Sequence, residues 1–218
     1  IRDRMYNDLT LAFWLIVAGI VFDFFDGFVA RLLHSSSAIG VQLDSLADVI
    51  TSGLAPAAVL WQVCLQTEPC WLPETWKLGY GVFVLAAFSA LRLAKFNIDE
   101  TQTVEFCGLP TPAGSLLCAS LGMLWQQGAV ALSSDGVLLI AVLTSLLLVS
   151  PIRMFALKFH GFGWRGNEVR YLFLLASIVL IIILRTYAIP VIIVLYIVVS
   201  AVRWLCMRSG NPDKAPKA

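Results

Sequence analysis

The sequence predicts an all-α membrane protein, a polytopic bundle of about seven transmembrane helices. Of the 218 residues, 59% are hydrophobic and only 13% are charged, and the mean hydropathy is +0.85, which is far too apolar for a soluble domain. The apolar residues gather into runs of roughly 17 to 25, the length that crosses a bilayer as a helix. No internal repeat or domain boundary divides these runs, so we expect residues 1–218 to form one membrane domain.

Each predicted span is an apolar run bounded by a polar connection, often one that contains Pro or Gly. The spans cover residues 9–33, 43–65, 77–96, 111–130, 136–155, 169–186 and 188–206. A helix satisfies its own backbone hydrogen bonds in hydrocarbon, so helices are the simplest structure for all of them. Residues 207–218 follow the last span as a polar tail.

Lys and Arg concentrate in short cytoplasmic loops, so their positions predict the orientation of the chain. If the first span runs from outside to inside, all fifteen fall on the inner side except Arg2, Arg4, Lys77 and Arg185. We therefore expect the connection after the first span and the tail at 207–218 to face the cytoplasm, with the protein in the inner membrane of the cell. The net charge of +1 argues against nucleic acid as a partner and favours lipids, small molecules and metal ions.

Four aspartates lie within 23–48, in a chain where ionisable side chains are expensive to place. Asp23 and Asp26 are one helical turn apart near the end of the first span, and Asp44 and Asp48 are one turn apart on the next helix. Carboxylate oxygens are the ligands of hard divalent ions. We expect Asp23, Asp26 and Asp44 to hold one or two Mg²⁺ or Mn²⁺ ions, which in enzymes commonly coordinate phosphate oxygens.

The residues beside the first pair of aspartates fit a phosphate ligand. Gly27 and Ala30 leave room where a large ligand must approach the helix, and Arg31 is placed to pair with a phosphate. A rival interpretation is a divalent-cation transporter, because acidic residues within membrane spans also mark ion pathways. The acids cluster at one end of the spans, however, which favours phosphoryl chemistry at the membrane surface.

These residues form a spaced motif, D-x2-D-G-x2-A-R-x8-G-x3-D-x3-D. Its eight fixed positions are Asp23, Asp26, Gly27, Ala30, Arg31, Gly40, Asp44 and Asp48. The motif resembles the signature of the CDP-alcohol phosphatidyltransferases. The runs GVQLDSLADVITSGLAPA, RLAKFN and GLPTPAG further resemble the membrane-type members of bacteria and archaea that use serine as acceptor. The resemblance covers roughly residues 9–125, and it implies one more helix upstream of Ile1.

The resemblance implies that the phosphatidyl group of CDP-diacylglycerol passes to the hydroxyl of L-serine, with release of CMP. The metal ligands would be Asp23, Asp26, Asp44 and Asp48. Asp48 would also act as the general base on the acceptor hydroxyl. The contacts to CDP-diacylglycerol would come from Gly27, Ala30, Arg31, Ser37 and Gly40. For Ser37 and Gly40 the alternative role is structural, as a helix cap and a helix start.

The acceptor needs its own recognition, because free serine carries a carboxylate that requires a cation. Arg92 and Lys95 lie one turn apart at the inner end of the third span, with Asn97 beside them as a hydrogen-bonding partner. We expect these three residues to bind serine. The alternative is that both cations are inner-face anchors. Glycerol 3-phosphate and inositol phosphate remain alternative acceptors, since the same cations could bind their phosphate.

A small-residue face is predicted on the fourth span. It consists of Gly114, Ser115, Ala119 and Gly122. Such a face permits close helix packing, and we expect it to support a homodimer.

Overall fold

Helices make up most of the chain in the computed structural model, which describes residues 8–33, 37–71, 78–98, 105–155 and 167–210. The α-helices are α1 (Leu9–Leu32), α2 (Ala38–Asp48), α3 (Ala55–Gln66), α4 (Val84–Ile98), α5 (Thr111–Gln126), α6 (Ser134–Leu148), α7 (Glu168–Leu184) and α8 (Ala188–Gly210). A π-helical turn (Val49–Leu54) joins α2 to α3, and 3₁₀ helices (Leu78–Phe83 and Arg185–Tyr187) precede α4 and α8. Two strands, β1 (Glu105–Cys107) and β2 (Arg153–Phe155), pair antiparallel. Among the predictions above, those on Arg2, Arg4, Lys77 and residues 211–218 lie outside the described residues.

Every predicted span contains a helix, which confirms an all-α membrane bundle. Within the described ranges, the stretches long and apolar enough to cross a membrane are Leu9–Ala30, Ile39–Gln66, Gly79–Ile98 and Glu168–Met207. Helices α5 and α6, with 16 and 15 residues, are shorter than the roughly 20 residues that a crossing needs. Four qualifying stretches therefore support the membrane bundle but not, by length alone, the count of seven.

The predicted spans 111–130 and 136–155 run too far at their C-terminal ends. Helix α5 stops at Gln126, and Gly128 turns the chain with a φ of +69°. Helix α6 stops at Leu148, and the apolar residues that follow Pro151 form strand β2. Met154 and Phe155 are buried in that strand. A short buried strand and the end of a buried helix have the same apolar sequence, which explains the error.

The second predicted span is a continuous helical stretch with a wide turn at its centre. The N–H of Ala55 donates to the carbonyl of Ile50, five residues earlier, as a π-helix requires. Pro56 has no N–H to give to the carbonyl of Ser52, and its ring would crowd that carbonyl in a regular α-helix. The wider turn relieves this conflict and lies immediately after Asp48, the last residue of α2.

Helix α5 lies at the centre of the bundle and packs against α1, α3, α6 and α8. Its small residues make this possible. Gly122 lies against the Val59 side chain of α3, and a Cβ at Gly114 would stand 3.2 Å from the Thr144 methyl group of α6. The small-residue face predicted from the sequence therefore packs against helices of the same chain, so the close helix packing is confirmed, whereas the expectation that this face supports a homodimer is wrong because the face is buried within one chain.

The last two helices form a hairpin. Arg185, with a φ of +49°, lies in the short 3₁₀ helix that joins them, and α7 packs against α8. The hairpin is attached to β2 through three aromatic rings. The ring centroids of Phe155 and Tyr196 are 4.9 Å apart, and those of Phe155 and Phe173 are 5.5 Å apart. Helix α8 is thereby held against β2 and α5.

The outer surface of the bundle is apolar, as a lipid-facing surface would be. Phe22 on α1 is 73% exposed, and Ile182 and Leu172 on α7 are 71% and 67% exposed. So many large apolar side chains in contact with water would be unusual for a soluble protein. The hydrocarbon of a bilayer accommodates them, which agrees with the predicted membrane location.

Candidate functional site

The site is built where the second half of α1 meets α2. Asp23 and Asp26 share one face of α1, and Asp44 lies on α2. One carboxylate oxygen from each of these three residues lies within 4.8 Å of the other two. Two ligands of one divalent ion, each bonded at about 2.0–2.6 Å, are separated by no more than about 5 Å. The three carboxylates therefore have a spacing that one ion can span.

Asp48 lies beside this trio. Its carboxyl group is within hydrogen-bonding reach of the Asp23 carboxyl group, and it also interacts electrostatically with Asp44. Asp23 and Asp48 are half-buried, whereas Asp26 and Asp44 are exposed. Carboxylates this close repel one another unless protons or cations lie between them. The donor set is all oxygen, so the four residues fit Mg²⁺ or Mn²⁺.

The N-terminus of α2 is capped by Ser37. The Ser37 hydroxyl accepts a hydrogen bond of 3.0 Å from the N–H of Gly40, and a Cβ at Gly40 would stand 3.0 Å from the same oxygen. Ser37 and Gly40 thus have a structural role that positions α2, and with it Asp44. The sequence raised this role as the alternative to a contact with CDP-diacylglycerol.

The residues after Asp26 leave space on α1. A Cβ at Gly27 would meet no other atom of the described chain within 4 Å. Ala30, one turn on, is half-buried. The backbone of Arg31 belongs to α1, but its side chain lies outside the described part of the structure. Beside the acidic residues, therefore, the helix surface is open to a bulky group.

The three residues predicted to bind serine have different surroundings. Arg92 is only 8% exposed, and its Nη1 donates to the Thr111 hydroxyl at 3.1 Å. Lys95 is exposed. The Asn97 side chain is also exposed, and its Nδ2 donates to the Ser45 hydroxyl at 2.8 Å, which ties the end of α4 to α2. The guanidinium of Arg92 also interacts electrostatically with the Asp48 carboxylate.

Sequence reasoning missed two residues around Arg92. Thr111 begins α5 and accepts the hydrogen bond from Arg92, and Tyr196 of α8 interacts electrostatically with the same guanidinium. Thr111 lies inside the run GLPTPAG, so a signal existed, although it did not indicate a partner. Tyr196 lies in a nearly uniform apolar run, which gave no signal.

An apolar helical bundle that gathers four carboxylates near the ends of two helices is an integral membrane protein with an acidic site suited to phosphate esters. The sequence matches the family model for CDP-alcohol phosphatidyltransferases over residues 4–151. The chain therefore belongs to the CDP-alcohol phosphatidyltransferase family, and the resemblance carried by the spaced motif is confirmed. All four aspartates and Arg92 lie inside the matched region, whereas α7 and α8 lie beyond it.

Curated relatives share more than the motif. The chain is 32% identical over 161 residues to the CDP-diacylglycerol–serine O-phosphatidyltransferase of Bacillus subtilis, with 74% of this chain and 84% of that protein covered. It is 31% identical over 200 residues to the protein of the same name from Helicobacter pylori, covering 89% and 80% of the two chains. A third protein of that name, from Mycobacterium tuberculosis, is 34% identical over 234 aligned positions, with 100% of this chain and 78% of that one covered.

Proposed function

We propose that this protein transfers the phosphatidyl group of CDP-diacylglycerol to the hydroxyl of L-serine, forming phosphatidylserine and releasing CMP. The observation that carries the proposal is the convergence of Asp23, Asp26 and Asp44 within 4.8 Å, with Asp48 beside them. The choice of serine is supported by the names of the relatives from B. subtilis, H. pylori and M. tuberculosis.

The four carboxylates have two roles, metal binding and proton transfer. Asp23, Asp26 and Asp44 would hold Mg²⁺ or Mn²⁺, with Asp48 contributing to a second ion. When bound, such an ion neutralises charge on phosphate oxygens and draws the diphosphate into place. Asp48 accepts the proton of the serine hydroxyl, and the serine oxygen forms a bond to the β-phosphorus of CDP-diacylglycerol. The bond between that phosphorus and the bridging oxygen breaks, and CMP leaves with the electron pair.

The lipid nucleotide is proposed to lie over α1 and the start of α2. Gly27 supports this placement because the space beside it is open next to Asp26. Ala30 adds no bulk, and Arg31 would pair with the diphosphate. Ser37 and Gly40 would contact the nucleotide while they also cap α2.

Serine is proposed to approach from the side of α4. Arg92 supports this placement, because its guanidinium lies near Asp48 and matches a carboxylate in charge and geometry. Lys95 and Asn97 would act at the entrance, since both are exposed at the end of the same helix.

We further propose the arrangement of the chain in the membrane. The hairpin of α7 and α8 supports two crossings within Glu168–Met207, which makes five with the other three qualifying stretches. The shorter apolar helices α5 and α6 would be the sixth and seventh spans. The whole chain would act as one domain in the inner membrane, as a homodimer, with residues 207–218 and the acidic site at the cytoplasmic face. The distribution of Lys and Arg supports this orientation.

Acceptor specificity provides the test. The purified protein, supplied with CDP-diacylglycerol and Mg²⁺ or Mn²⁺, is incubated separately with L-serine, glycerol 3-phosphate and inositol phosphate, and CMP release is measured. We expect release with serine and formation of phosphatidylserine. Release with one of the phosphate-bearing acceptors but not with serine would reject serine and retain the family chemistry.

A further inference from the structure

Arg92 is a buried cation whose hydrogen bonds are only partly satisfied by the part of the chain that the structure describes. Its side chain is more than nine-tenths buried, and Nη1 is bonded to the Thr111 hydroxyl. The Nε atom, also buried, has no hydrogen-bond partner among the described residues. A guanidinium has five N–H donors, and leaving one of them buried and unpaired costs free energy. Arg92 is therefore prepared for a hydrogen-bond acceptor that the described residues do not provide.

Tyr196 of α8 is the other neutral group near this cation. Its hydroxyl donates a hydrogen bond of 3.0 Å to the carbonyl of Phe155, and its ring packs against the Phe155 and Phe173 rings. Tyr196 is within electrostatic range of the Arg92 guanidinium, but its hydroxyl is bonded to Phe155 rather than to Arg92. The contact that fixes Arg92 is therefore its hydrogen bond to the buried Thr111 hydroxyl.

Neutral partners leave the charge of Arg92 available. Thr111 holds the side chain in place without neutralising it, whereas the carboxylate that interacts electrostatically with Arg92 is that of Asp48. A ligand carboxylate bound to Arg92 would thus lie close to the residue that takes the proton in the proposed reaction. An α-amino acid with a hydroxyl on its side chain has these two groups a few atoms apart.

We propose that Thr111 is a positioning residue that holds Arg92 to receive the carboxylate of the acceptor, so that the acceptor hydroxyl is presented to Asp48. This inference rests on the proposed function and deepens it. The acceptor is therefore selected by α4 and the start of α5, whereas the metal and phosphate chemistry belongs to α1 and α2.

The test compares L-serine with ethanolamine, which is the same amino alcohol without the carboxylate. Steady-state CMP release gives kcat and KM for both acceptors, and KM for CDP-diacylglycerol, in the wild type and in Arg92→Gln and Thr111→Val. For Arg92→Gln we expect the preference for serine over ethanolamine to fall by about tenfold or more, since a charge-assisted hydrogen bond is lost. For Thr111→Val we expect a serine KM about threefold to tenfold higher, with kcat and the KM for CDP-diacylglycerol unchanged.

Matched control variants distinguish an effect on the position of Arg92 from a general effect on folding. Tyr187→Phe and Thr67→Val remove hydroxyls elsewhere in the chain, where they bond to the carbonyls of Ala129 and Val63, and should not change the serine KM. Arg92→Lys keeps the charge and should recover part of the serine preference lost in Arg92→Gln.

Three outcomes decide the proposal. An equal loss of kcat for both acceptors in Arg92→Gln would mean that Arg92 acts on Asp48 alone, and would overturn it. If the wild type does not use ethanolamine, a serine KM that rises while the KM for CDP-diacylglycerol stays constant supports the proposal, and a parallel rise overturns it. Absence of CMP release from the wild type with serine would instead reject the proposed function itself.

Discussion

Gly53 lies so close to Ser89 that a Cβ at position 53 would stand 2.9 Å from the Ser89 Cβ. Both residues are buried, Gly53 in the π-helical turn and Ser89 in α4. Asp48 precedes Gly53 by about one π-helical turn, and Arg92 follows Ser89 by about one turn of α4. The close approach of these two segments is therefore what brings the Arg92 guanidinium near the Asp48 carboxylate.

Gly53→Ala should separate the π-helical turn from α4. The added methyl group would overlap Ser89, and such overpacking costs typically about 1–3 kcal/mol. We expect a lower apparent melting temperature in detergent and slower CMP release. Gly79→Ala is the control, because a Cβ there would be 3.5 Å from the nearest atom, an ordinary contact. Equal melting temperatures for Gly53→Ala and the wild type would show that α4 can move away from the π-helical turn without loss of stability.

Asp48→Asn and Asp44→Asn should lose activity for different reasons, the first through proton transfer and the second through binding. Asp44 belongs to the trio spaced for one ion, so Asp44→Asn should weaken Mn²⁺ binding and CDP-diacylglycerol binding together. Asp48→Asn removes the proposed base, so CMP release should fall by about 10²–10⁴ while much of the lipid-nucleotide binding remains. Isothermal titration with Mn²⁺ and with CDP-diacylglycerol measures the two affinities. Equal loss of lipid-nucleotide binding in both variants would count against Asp48 as the base.

Gly27→Val should reduce substrate binding without destabilising the protein. The space beside Gly27 contains no described atom within 4 Å, so the larger side chain has room in the free protein. A substrate lying over α1 would collide with it. We expect the KM for CDP-diacylglycerol to rise about tenfold or more, a cost comparable to overpacking, with the melting temperature unchanged. An unchanged KM would show that the lipid nucleotide does not lie on this face of α1.

Asp135→Ala should destabilise the end of the bundle where α6 begins. The Asp135 side chain is 4% exposed, and one carboxylate oxygen accepts hydrogen bonds from the N–H groups of Cys70 and Trp71 at 2.7 and 2.6 Å. Removing it leaves two backbone donors without their acceptor, at a cost of about 3 kcal/mol. The melting temperature in detergent should fall clearly, and less in Asp135→Asn, which keeps one acceptor oxygen. Glu68→Gln, at an exposed position, is the control.

The acidic site could be predicted from sequence because its geometry is local. Asp23 and Asp26 on one helix and Asp44 on the next are related by helical periodicity and by a short connection, so their spacing is nearly fixed by the sequence. The apolar runs predicted the helices for the same reason. The boundaries were less accurate at α2, which begins at Ala38 rather than at 43, because most of its residues are exposed and form no apolar run.

The surroundings of Arg92 could not be predicted, because they depend on contacts between distant parts of the chain. Thr111 comes from α5, so its hydrogen bond to Arg92 depends on how α5 packs beside α4, and Tyr196 of α8 comes within electrostatic range of Arg92 only through the packing of α8 on β2 and α5. The strand pairing that supports Phe155 is equally non-local, since β1 and β2 are separated by two helices. Periodicity identifies which face of a helix is apolar, but it does not identify the neighbouring helix.

The π-helical turn at Val49–Leu54 makes this part of the chain intolerant of a change in length. A π turn accommodates one residue more than an α turn, and each residue of an α-helix advances the side chains by about 100°. The wide turn absorbs this extra residue, so that α2, which presents Asp44 and Asp48 to α1, and α3, which presents Val59 and Leu60 to the core, keep their angular phase. Deleting a single residue here would restore a regular helix with Pro56 in its interior, and inserting another would turn one of these faces away from its target by about 100°. An insertion that an ordinary loop absorbs would thus misalign the acidic site and the hydrophobic core in one step.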